Sequence, residues 1–113
     1  MLISDDTFEP GARNIPPALL PGGDLSSVVF FDIETTGLSW RTSHLYLIGA
    51  AWMDGSVWHI RQWFLQKPSE EPGLLDQFSD FLKGFSRLIH YNGQTFDLPY
   101  LRHKYSFYRR SCP

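Results

Sequence analysis

Val28-Val29-Phe30-Phe31-Asp32-Ile33-Glu34 is a β-branched and aromatic run, bounded by Ser26-Ser27 before it and Thr35-Thr36-Gly37 after it. Such a run reads as a buried strand, covered on both faces at its start. Leu45–Trp52 and Val57–Leu65 flank Asp54-Gly55, a dipeptide that accepts positive φ, so they predict two antiparallel strands joined by a tight hairpin. Leu74, Leu75, Phe78, Phe81, Leu82 and Phe85 then fall at i, i+1, i+4, i+7, i+8 and i+11, with Asp76, Gln77, Asp80 and Lys83 between them. That stripe predicts an amphipathic helix ending near Gly84.

Arg87-Leu88-Ile89-His90-Tyr91-Asn92 is short and apolar and follows this helix. It predicts another strand, reached by a helical crossover and therefore parallel to its neighbour. Thr95 suits an N-cap and Pro99 the first turns of a second helix running to about Tyr105. Residues 1–27 hold Pro10, Pro16, Pro17, Pro21, Gly11, Gly22 and Gly23, which break every regular period and predict an extended arm. The expectation is an arm over 1–27 and an α/β domain over 28–113, with the order β, β-hairpin, α, β, α.

At 113 residues the chain has room for one domain. With 42% hydrophobic and 19% charged residues, its composition is globular rather than disordered. No apolar window is long enough to cross a membrane, and Met1-Leu2-Ile3-Ser4-Asp5-Asp6 has no basic n-region or apolar h-region of a signal peptide, so the expected location is cytoplasmic, with no membrane partner. Cys112 is the sole cysteine and reads as a free surface thiol. The net charge of −2 hides an asymmetry: residues up to Ser86 sum to −6 and those from Arg87 onward to +4. Arg102, Lys104, Arg109 and Arg110 form the basic end, either a solvated helix face or a set of phosphate contacts.

Asp32 and Glu34 are two apart on a predicted strand, so both carboxylates leave one face while Ile33 points the other way. Their repulsion is relieved by a cation between them, and oxygen-only ligands favour Mg²⁺ or Mn²⁺. The alternative is a pair of charges on the wet face of an edge strand, against which the preceding apolar run argues. Asp97 falls at a strand-to-helix junction, in Asn92-Gly93-Gln94-Thr95-Phe96-Asp97-Leu98-Pro99. There it either joins a site at the carboxyl ends of the strands or only complements the helix dipole.

Phe31-Asp32-Ile33-Glu34-Thr35-Thr36-Gly37-Leu38 resembles the first motif of DEDD-type 3′–5′ exonucleases, and Asn92 followed by Phe96-Asp97 resembles their second. With the intervening hairpin and helix, the chain is similar over residues 25–108 to the YprB-like branch of ribonuclease-H-like domains. The resemblance implies a ribonuclease-H-like mixed sheet, a hairpin plus parallel strands with helices, and two-metal hydrolysis of phosphodiester bonds at the single-stranded 3′ end of a nucleic acid. It implies that Asp32 bridges both metals, that Glu34 binds one and contacts the terminal 3′-hydroxyl, and that Asp97 holds the second. Thr35, Thr36, Gly37 and Leu38 would grip the terminal nucleotide: Gly37 allows close backbone approach, the threonines offer hydroxyl and N–H donors, and Leu38 an apolar edge. Asn92 either touches substrate or closes its turn.

The family's third motif, a Tyr or His base followed by a fourth aspartate, has no counterpart, since neither Asp nor Glu follows Asp97. His103, His44, His59 and His90 lack metal-ligand spacing and read as surface or packing histidines. The expectation is a domain truncated before its last strand and helix, with strand 87–92 an exposed edge open to a complementing chain or to self-association. The second reading, from a different class, is a non-catalytic module that binds nucleic acid or protein.

Overall fold

The computed structural model describes residues 1–8, 27–90 and 96–113. Its strands are β1 (Leu2–Phe8), β2 (Val28–Thr35), β3 (Leu45–Asp54), β4 (Val57–Phe64) and β5 (Arg87–His90), and its helices are α1 (Glu71–Leu82) and α2 (Leu98–Phe107). They form one five-stranded sheet in the order β1-β4-β3-β2-β5. β2 pairs antiparallel with β3 and parallel with β5, so the sheet is mixed, as the α/β expectation requires. β5 is an edge strand among the described residues.

The period of two along β2 decides what each face carries. Val29, Phe31 and Ile33 are buried, while Asp32 and Glu34 are exposed on the opposite face. Across the hairpin, Ile48 aligns with Ile33 and Trp63 with Ile48, continuing the apolar face. Leu74, Leu75, Phe78 and Leu82 of α1 and Tyr100, Leu101 and Tyr105 of α2 join the same cluster. Phe78 sits between Phe31 and Trp63, with ring centroids 5.7 and 5.8 Å away. The aromatic share that is high in the sequence is in large part this layer, each buried ring contributing on the order of 2–3 kcal/mol from area removed from water.

The hairpin turns one residue later than the Asp-Gly reading places it. Asp54 pairs with Val57, making Gly55-Ser56 the central pair. Gly55 has φ of 62° and no positive φ occurs at Ser56, the pattern of a turn with glycine first. The helix stripe is shifted too: α1 starts at Glu71, and Phe85 lies beyond its end.

Leu2–Phe8 departs from the expected arm by joining the sheet antiparallel to β4. Asp5 lies opposite Arg61, whose Nε and Nη2 donate to its two carboxyl oxygens at 2.6 and 3.1 Å. The strand's own alternation is weak because both of its faces carry polar residues; the partner strand supplies the order. The rest of the expected arm, together with Asn92 and the Thr95 cap, lies outside the described residues.

Candidate functional site

Asp32 and Glu34 stand near the carboxyl end of β2, on the face of the sheet away from α1 and α2. Gly49 is the register partner of Asp32, and a side chain there would meet open space. Phe30, Leu47, Gly49, Ala51, Ile60, Gln62 and Ile89 line a cleft of about 610 Å³ together with the two carboxylates. It is a mostly apolar trough with acid at one end.

Asp97 reaches this place from another element. It precedes the first residue of α2, has helical backbone angles and makes no side-chain cap to its own helix. It is 4% exposed, and its Oδ2 has no hydrogen-bond partner among the described residues. Burial, then the Asp32 carboxylate through both charge and hydrogen bonding, and also the Glu34 charge, push its pKa up to about 6, against an opposing backbone N–H of Ile33. The structure thus brings Asp97 against Asp32 and within the field of Glu34.

The segment after β2 is folded onto itself. The Thr35 hydroxyl donates to Gly37 O at 2.7 Å, Thr36 N–H donates to His44 O, and His44 N–H donates to Thr36 Oγ1, the last two at 3.0 Å. The Thr35 hydroxyl and the Thr36 N–H thus donate within the loop, whereas the Thr36 hydroxyl only accepts in these bonds. Gly37 has a reason of its own: a Cβ there would lie 3.2 Å from Ser43 Cβ. Leu38 is 87% exposed at the tip.

A buried polar network missed in the sequence ties this loop to both helices. Glu71 is 1% exposed. It accepts from Leu45 N–H at 2.6 Å and from the Tyr108 hydroxyl at 2.5 Å, and pairs with Lys104 Nζ at 3.1 Å. Lys104 also donates to Ser43 O, and Ser43 Oγ hydrogen-bonds Tyr100 Oη, both at 2.8 Å. Lys104 is therefore a buried ion-pair member, which corrects its place in the basic end, and Arg110 is held by Asp76 at 3.1 Å. The signal in the sequence is an acid at a helix start beside Pro72, which is indistinguishable there from a dipole-complementing residue. Burial pushes the pKa of Tyr108 upward, with the adjoining Glu71 adding to it.

The histidines divide by place. His90 packs edge-on to Phe31 and His59 stacks on Trp52, as packing residues do. Cys112 is a free, exposed thiol. No helix among the described residues is long and apolar enough to cross a membrane.

A family model of the RNase H superfamily matches residues 29–113. The chain belongs to the RNase H superfamily. Within that superfamily, a relative from Bacillus subtilis (strain 168) named uncharacterized protein YprB is 30% identical over 93 residues, 81% of this chain. The chain spans 22% of that protein's length. RNase H superfamily members typically use divalent metals. Among the described residues no group of three His, Cys, Asp or Glu side chains is drawn together as a ready coordination shell. The donor chemistry fits such an ion all the same: Asp32, Glu34 and Asp97 offer only carboxylate oxygens, one of them buried without a partner, and their charges raise one another's cost.

Proposed function

We propose that this chain provides the carboxylates of a DEDD-type, metal-dependent 3′–5′ exonuclease site that hydrolyses phosphodiester bonds in nucleic acid. The observation that carries the reading is the unpartnered Asp97 Oδ2, buried against Asp32. An acid raised by burial and by neighbouring carboxylates is a feature of sites built to be neutralised by a ligand. Asp32, Glu34 and Asp97 would hold Mg²⁺ or Mn²⁺, which when bound supplies Lewis acidity toward water and the leaving 3′ oxygen. Asp32 and Asp97, which stand against each other, would together hold the ion, and Glu34, exposed on the cleft side, would contact the terminal 3′-hydroxyl. Leu38 would offer an apolar edge to the terminal base from a loop whose hydrogen bonds keep it in shape, and Asn92 would brace the site or touch the substrate.

Neither Asp nor Glu follows Asp97, so this chain contributes three acidic ligands. A fourth acid with a Tyr or His base would be supplied from outside these 113 residues, by a second copy or another segment seated at the β5 edge. The test is incubation of the chain with end-labelled single-stranded DNA and RNA, with Mg²⁺ or Mn²⁺ and then with a chelator. Trimming from the 3′ end that requires the ion and disappears in Asp32→Ala is the expected result. Equal turnover in Asp32→Ala removes the site assignment. Strand binding that persists with chelator and in both Asp32→Ala and Glu34→Ala, with no trimming from the folded chain, favours the non-catalytic module.

A further inference from the structure

Trp52 and Trp63 pack against α1 in or beside the core, and Trp58 stacks on Phe8 of the neighbouring strand. Trp40 touches the edge of the core but turns its ring to a different set of partners. It lies half-buried in the loop between β2 and β3, and His103 of α2 stacks on it at 5.2 Å and 5°. His103 is itself exposed, so one face of its ring is covered and the other is presented. Phe107, one helical turn further along α2, meets Trp40 at 5.9 Å and 60° and is 61% exposed. Burial gives no reason for a large ring to stand so far into water.

The cation placed against these rings is Arg41, and the sequence around His103 and Phe107 is basic. The Arg41 guanidinium lies 5.4 Å from the Trp40 ring centre, and Arg102 and Arg109 are exposed on and just after α2. Arg109 has φ of 58° in the residue position after a helix where glycine is favoured, and its N–H bonds back to Ser106 O at 3.0 Å. Placing an arginine there costs stability relative to glycine, which a contact made by its side chain would offset. From Arg87 onward Asp97 is the only acid.

We propose that His103 and Phe107, seated on Trp40 beside Arg41 and on a helix whose exposed Arg102 and following Arg109 add positive charge, form a stacking platform for the bases of a single-stranded nucleic acid. The proposal deepens the nuclease reading and rests on it for the strand's destination. The two segments that carry the platform adjoin the acids: the loop follows β2, which ends one residue after Glu34, and Asp97 immediately precedes the first residue of α2. Along α2, Asp97 and Phe107 are about 15 Å apart at 1.5 Å per residue, a span of about four stacked nucleotides at 3.4 Å each. A strand whose end reaches the carboxylates would cross the rings with its upstream bases. Aromatic faces accept any base, and the arginines attract the phosphates between them, so the platform selects single strands without selecting sequence.

The experiment measures fluorescence anisotropy of a short fluorescein-labelled oligothymidylate titrated with the full chain in low salt and chelator, beside an abasic strand of equal length. His103→Ala and Phe107→Ala each weaken oligothymidylate binding by about fivefold or more, leave binding of the abasic strand unchanged, and Phe107→Tyr restores wild-type affinity. Both positions are exposed, and circular dichroism of each variant checks the fold. Wild-type affinity in both alanine variants, an equal loss on the abasic strand, or failure of the wild-type chain to bind oligothymidylate overturns the platform. Chelator separates this outcome from the nuclease reading. Platform-dependent binding without metal-dependent trimming leaves the platform and removes the nuclease, whereas trimming that ignores both ring substitutions does the reverse.

Discussion

Asp97 is held with one carboxyl oxygen unbonded among the described residues and a second carboxylate beside it, so its charge is a local source of instability in the ion-free chain. Its folded pKa of about 6 stands above the ordinary 3.8. A group raised in this way favours the folded state fully below its unfolded value, and that contribution is lost as pH rises from about 4 to 6. Denaturant melts of wild type and Asp97→Asn in chelator should therefore agree near pH 4 and diverge by about 3 kcal/mol at pH 7, the variant being the more stable. Parallel pH profiles would show that Asp97 is not strained by its neighbours. Glu71 is the opposite case, a buried acid with every partner it needs. Glu71→Gln or Lys104→Met should cost about 3–5 kcal/mol by leaving a buried charge uncompensated, and the double substitution should recover part of that loss. Asp32 and Glu34 were legible in the sequence because period two on a strand needs no other information. Glu71 was not, because its partners come from β3 and α2.

Among the elements, β2 and α1 announce themselves by period and β1 does not. β2 is central in the sheet and must be apolar on its helix-facing side. β1 lies at an edge and owes its place to the Asp5–Arg61 fork and the ladder to β4. The hairpin connecting β3 to β4 places Gly49 beside Asp32, and the space above Gly49 is the cleft floor. Gly49→Val fits the strand and should leave stability unchanged or raise it by about 0.5–1 kcal/mol. The same change narrows the trough next to the acids, so metal-dependent trimming should fall while the melting midpoint holds. Loss of both together would mean that Gly49 serves the fold rather than the cleft.

Across the whole molecule, both helices pack on one face of the sheet, and the acids and the trough occupy the other. The sequence by itself determined the α/β class, the parallel strand after the crossover, the hairpin and the pairing of Asp32 with Glu34, because each follows from local period, turn chemistry or the length of a crossover. Only the tertiary structure decided that Asp97, distant in sequence, arrives against Asp32, and that Lys104 is buried while Arg102 and Arg109 face solvent. It likewise decided that Trp40, at the edge of the core, meets the exposed rings of His103 and Phe107. Those juxtapositions depend on how α2 is docked on α1 and on the loop after β2. The docking is set by long-range burial and hydrogen bonding, which leave no periodic trace in the chain.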